Sequence, residues 1–284
     1  MSPATLRHRW YEGALVLMLI LVVARLILEV AGADHAWTRY ISATAGLFLV
    51  AIYLGAVAPR REVTRFAQLV VPAIILAAWT AGWVIVATFI SGAFHLQRSH
   101  FAAPEDYGNW SNLGRHILEH VESIPILAAL ALILMAVPYL LHHWPVTVAP
   151  AAVLGGLVIV RYWVEAMEVS PMRAAAWSST VAMILCALYL GGTGPQMGLT
   201  SARQLFWPAL VIGWVWRFWV FLAAVLSAVV PFYHTHFFDP SEGRIVARLA
   251  TFLAGSAVEG FIAGLLVWAI ASWTVWVTRR EATA

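Results

Sequence analysis

The sequence predicts an all-α integral membrane protein, with eight transmembrane helices arranged as two parallel four-helix repeats about a pseudo-two-fold axis along the membrane normal. Three observations predict it. Apolar runs of about 20 residues, enough to cross a ~30 Å hydrocarbon core, recur along the whole chain. Charged residues are 11% of the 284, against about a quarter in a soluble domain, so a water-soluble core is excluded. The chain also aligns with itself at a shift of 136 residues. The runs do not alternate apolar and polar residues, which excludes a β-barrel.

The spans are expected at 13–33, 41–59, 68–91, 119–141, 147–167, 174–193, 204–231 and 248–277. The last two are long enough to tilt or to continue beyond the bilayer. Turn residues punctuate the joints: Pro59-Arg60-Arg61, His142-His143-Trp144-Pro145, Pro195 and Asp239-Pro240. Arg25 and Glu29 interrupt the first run, so the N-terminal segment reads as a retained span and not as a cleaved signal. Tryptophans near helix ends suit the interfacial belts of a bilayer.

The repeat rests on residues that apolar composition does not explain. Arg25 meets Arg161 and Glu29 meets Glu165. Tyr53-Leu54-Gly55 meets Tyr189-Leu190-Gly191. Gln68 and Pro72 meet Gln204 and Pro208, and Trp83 meets Trp219. His100-Phe101 and Pro104 meet His236-Phe237 and Pro240. One added residue then matches Val121-Glu122 to Val258-Glu259. The expected domains are therefore 1–144, with a His-rich outer loop at 92–118, and 145–284. An even number of spans per repeat gives both copies one orientation, the parallel arrangement of some transporters.

Arginine placement orients the chain. Arg7, Arg9, Arg60, Arg61, Arg65, Arg203, Arg279 and Arg280 fall on the side of the termini. Arg39, Arg98, Arg115, Arg173, Arg244 and Arg248 fall on the other. By the positive-inside rule both termini are cytoplasmic, in a multi-pass protein of the cell membrane. The expected surroundings are the lipid bilayer, with membrane-protein partners or a homo-oligomer allowed. The arginines are loop charges, so no nucleic-acid partner is expected.

This topology gathers polar residues on the outer side: Glu29, His95, His100, His116, His120 and Glu122 from the first repeat, with Glu165, His234, His236 and Glu259 from the second. Arg25 and Glu29, like Arg161 and Glu165, are four apart and share a helix face. Each arginine lies about 12 Å inside the outer end of its helix at ~1.5 Å per residue. A charge at that depth costs about 2.5–3.5 kcal/mol and should be paired. Two readings follow. The pairs are structural locks, or Arg25, Glu29, Arg161, Glu165 and Glu259 line a substrate or ion path. Arg217 has no mate in the first repeat, where Ala81 stands, and needs a carboxylate.

His116-x-x-Glu119-His120 places two imidazoles one helical turn apart, with Glu119 positioned as a general base. The pattern is that of the short H-x-x-E-H motif of inverted zinc proteases, over five residues only. The expected transition-metal ligands, for zinc or iron, are His100, His116, His120, Glu122 and His236. The bland alternative is a polar helix start facing interfacial water. His95 aligns with Pro231, and His116 and His120 align with Leu253 and Ala257, so these histidines belong to one repeat alone. A di-iron centre lacks its usual Glu-x-x-His helices. A haem between His100 and His116 or His120 is disfavoured, because no histidine lies mid-span.

Several chemistries are excluded outright. The chain has no lysine, so lysine-based covalent catalysis is absent. Cys186 is the single cysteine, which rules out an intrachain disulfide and cysteine-based metal clusters. There is no phosphate-binding loop, dinucleotide motif or nucleophile elbow. Three functions stay open: a membrane metalloprotein acting on a lipid or small molecule at the outer face, a carrier or channel with its path between the repeats, and a non-catalytic accessory membrane subunit.

Overall fold

The computed structural model describes residues 10–169, 171–229, 235–239 and 243–283. Arg7, Arg9, Pro231, His234 and Pro240, all used in the sequence reading, lie outside them. The described residues are helical apart from turns and a single antiparallel bridge between Thr235 and Phe238. Among the described residues eight helical stretches are long and apolar enough to cross a membrane: Glu12–Val30, His35–Arg61, Phe66–Ala93, Trp110–His143, Pro145–Ala166, Met172–Met197, Ala202–Val229 and Ile245–Arg279. Their main α-helices are α1 (Glu12–Val30), α2 (Ala43–Val57), α3 (Val70–Ala93), α4 (Trp110–Leu140), α5 (Pro145–Ala166), α6 (Ser179–Thr193), α7 (Ala202–Val229) and α8 (Ile245–Thr283). The chain is a multi-pass helical protein that divides into two compact units, Met1–Tyr139 and Leu140–Ala284.

Polar side chains set the helix ends. Ser42 caps α2 by accepting the Ala45 N–H, and the Gln68 carboxamide oxygen takes the N–H groups of Thr64 and Arg65 ahead of α3. In the second unit Gln204 takes those of Thr200 and Ser201. Each of these contacts satisfies backbone donors that have no partner inside a helix.

α4 starts nine residues earlier than the span expected at 119–141. Asn109 accepts the N–H groups of Ser111 and Asn112 and so nucleates the helix at Trp110. Segment 110–118 carries Trp110, Leu113 and Ile117 at helical spacing, and Leu113 is buried against Gly92 of α3. At 31 residues α4 exceeds the ~20 needed to span, so one end continues beyond the hydrocarbon.

Close helix contacts rest on glycine. A Cβ on Gly55 of α2 would meet the backbone carbonyl of Met135 on α4, and one on Gly191 of α6 would lie 2.8 Å from the carbonyl of Ala271 on α8. Gly213 of α7 faces the backbone of Gly260 and Gly264 on α8. Small residues let helix backbones approach where no water drives association. In the first unit Val22, Ala87 and Phe101 form a buried cluster with Leu26 and Trp83. The loop after α3 is thereby seated against α1 and α3, which brings His100 beside Glu29.

Candidate functional site

In the first unit Glu29 is the centre of a closed clasp. Arg25 Nε donates to its Oε1 at 3.0 Å, the geometry expected for residues four apart on a helix. Thr38 Oγ1 donates to the same oxygen at 3.2 Å. His100, 71 residues away, meets Oε2 twice, through its backbone N–H at 3.0 Å and its ring Nδ1 at 2.8 Å. Arg25 also donates through Nη1 to the Ile41 carbonyl at 3.3 Å. The Glu29 side chain is 1% exposed. An ionised carboxylate only accepts, so His100 carries a proton on Nδ1. Burial holds the His100 imidazole below its ordinary range. The charges of Arg25 and His35 act in the same direction, and the Glu29 hydrogen bond opposes them.

The second unit contains the same arrangement. Arg161 Nε donates to Glu165 Oε1 at 3.0 Å. His236 meets Glu165 Oε2 through its backbone N–H at 2.9 Å and its Nδ1 at 2.5 Å. Phe101 and Phe237 each stack on the preceding histidine with centroids 4.0 Å apart. The end of α3 is tied to its loop by Ser91 and Ser99, 2.7 Å apart, and the end of α7 by Ser227 and Thr235, 2.6 Å apart. One difference between the clasps is that Thr38 aligns with Ala174, which has no hydroxyl to give.

His116 and His120 form a separate group near the N-terminal end of α4. His116 Nδ1 meets Asp106 Oδ2 at 2.9 Å, and the Ala103 N–H donates to the same oxygen at 2.8 Å. Asp106 is buried, which alone would raise its pKa. The His116 hydrogen bond, the Ala103 N–H and the His116 and Arg115 charges outweigh this and hold it below the usual carboxylate range. Its neighbour Tyr107 is pushed up by burial and by the Asp106 charge. The Tyr107 hydroxyl donates to the Leu96 carbonyl at 3.2 Å, and the His95 ring lies 5.7 Å from the Tyr107 ring. The rings of His116 and His120 are 5.1 Å apart, tilted by 32°.

The expected ligand set drawn from His100, His116, His120, Glu122 and His236 is not assembled. Among the described residues no three of His, Cys, Asp and Glu converge on one metal position. The physical reasons differ by residue. His100 and His236 are committed through Nδ1 to the carboxylates of their own units. Glu122 follows His120 by two residues, about 200° around a helix of ~3.6 residues per turn, so it projects from the opposite face. Glu119 is exposed on α4, one residue before His120.

The partner of Arg217, which sequence reasoning left unassigned, is Glu259. Arg217 Nη2 on α7 lies 2.5 Å from Glu259 Oε2 on α8, and it also donates to Ser256 Oγ at 3.4 Å. The guanidinium sits 5.4 Å from the Trp216 ring and 5.6 Å from the Phe252 ring. Arg217 is 14% exposed and Glu259 is 57% exposed.

No protein-family model, curated protein or solved structure matches the chain.

Proposed function

We propose that the chain is an accessory membrane subunit, built from two like four-helix repeats at 1–144 and 145–284, that associates with another membrane protein through the α7–α8 face around Glu259. The observation that carries this reading is the position of that carboxylate. Arg217 lies 15 residues along α7 from Ala202, about 22 Å at ~1.5 Å per residue, which is within a ~30 Å core. Its partner Glu259 is 57% exposed at the same depth. A polar group facing lipid there costs about 2.5–3.5 kcal/mol on insertion scales, and a partner helix that supplies a hydrogen-bond donor removes that cost.

The repeat is supported by the matching bonds of the two clasps. The same bonds favour the structural reading of Arg25/Glu29 and Arg161/Glu165. Glu29 and Glu165 are 1% and 2% exposed, and both oxygens of each accept hydrogen bonds, whereas a carrier path needs water beside them. Purification in mild detergent, with mass measured by light scattering, tests the proposal. The wild-type protein is expected in a complex that Glu259→Leu dissociates. A wild-type protein that runs as a monomer without partners overturns it.

A second reading, a zinc- or iron-dependent reaction on a lipid or small molecule at the outer face, is favoured by the Asp106–His116–His120 group. Glu119 is the side chain available there as a general base.

A further inference from the structure

His116 and His120 are one turn apart on α4 and belong to the first unit only, since Leu253 and Ala257 stand at the matching places in the second. His116 is oriented from behind. Its Nδ1 is engaged by Asp106, whose carboxylate is itself fixed by the Ala103 N–H and is 5% exposed. Nε2 of His116 is therefore the nitrogen left to coordinate. A carboxylate that holds the far nitrogen of an imidazole is the usual support of a metal-binding histidine, because it sets the tautomer and the ring direction.

The ring separation fits a shared ion. A Zn–N bond of about 2.0–2.1 Å places each ring centre about 3.2 Å from the metal, and a tetrahedral angle then separates the two centres by about 5 Å. The observed separation is 5.1 Å. Imidazole nitrogens select borderline cations such as copper, zinc and nickel over calcium or magnesium.

We propose that His116 and His120 bind one borderline divalent cation, with Asp106 as the positioning residue and water completing the coordination shell. The site needs two protein ligands and not three, in keeping with the absence of a three-ligand group among the described residues. It rests on the second functional reading for its location only. An ion bound without turnover ends the reaction reading and leaves the metal site standing.

The test uses the full chain in detergent, stripped with a chelator and then titrated with Zn²⁺ by calorimetry and with Cu²⁺ by electron paramagnetic resonance. His116→Asn keeps a donor facing Asp106 but removes the outer nitrogen. Together with His120→Asn it is expected to abolish one equivalent of Zn²⁺ relative to wild type. Asp106→Asn is expected to weaken that equivalent by about tenfold or more. The copper signal of the wild-type protein is expected to show two equatorial nitrogens. Unchanged zinc stoichiometry in the double variant, or a copper signal from one or from four nitrogens, overturns the proposal. Should the double variant fail to fold, the single variants and the wild-type copper spectrum decide the question.

Discussion

His100 and Glu29 lie 71 residues apart, and His100 supplies both its backbone N–H and its ring Nδ1 to one oxygen of that carboxylate. His236 and Glu165 make the same two contacts over the same separation of 71 residues. One carboxylate on the first helix of each unit thus holds the loop that follows the third.

Removing either carboxylate should loosen its loop. Glu29→Ala leaves the half-buried Arg25 without this carboxylate and the His100 N–H groups without their acceptor. Breaking a buried pair this way costs about 3–5 kcal/mol. Glu165→Ala is expected to cost slightly less, because Ala174 stands where Thr38 adds a bond in the first unit. Thermal unfolding in detergent measures both, and a loss under about 1 kcal/mol in either variant contradicts the clasp.

Acid should weaken the first clasp through His100. Its imidazole is held below the ordinary value, so between that lowered pKa and about 6.5 the unfolded chain binds more protons than the folded one. Stability therefore rises with pH across this window and is lost as pH falls through it. Asp106, also held low, adds a similar dependence only below about pH 4. His100→Asn keeps a donor near Glu29 and cannot titrate. Melting temperature between pH 7 and 5 should fall less in His100→Asn than in wild type, and equal slopes would refute the assignment.

Helix contacts at glycine should not tolerate a side chain. Gly213→Leu pushes α7 from the backbone of Gly260 and Gly264, and overpacking of this kind costs about 1–3 kcal/mol or more. Gly82→Ala meets nothing within 4 Å and should be neutral or stabilising. Comparison of the two melting temperatures checks the packing directly.

Arg217→Leu should be worse than the double change Arg217→Leu with Glu259→Leu. The single change leaves the Glu259 carboxylate without its guanidinium, and the double change removes both charges. The coupling should be about 1–2 kcal/mol, discounted for the exposure of Glu259. A double-mutant cycle on unfolding gives the value, and additivity would show that the pair does not interact.

Much of the fold was legible because a bilayer imposes a length and a polarity that one-dimensional patterns carry. The early start of α4 was legible only in part: Trp110, Leu113 and Ile117 keep helical spacing, but the polar residues between them set the segment apart from the apolar run that follows, and its cap, Asn109, is a single residue. The phase of Glu122 was legible in principle: two residues from His120 on a helix cannot share its face. Spacing rules by themselves would have removed it from the ligand set.

The sequence by itself determined the apolar spans, the Arg/Glu pairs four residues apart, and the echo of Arg, Glu and His at 136 residues. All of these are local or periodic, and helical geometry turns spacing into proximity. Only the tertiary structure decided that His100 closes on Glu29, that Asp106 holds His116, and that Arg217 takes Glu259. Those partners are brought together by loop paths and helix crossings, where the distance between two side chains depends on how whole elements pack and not on their separation along the chain.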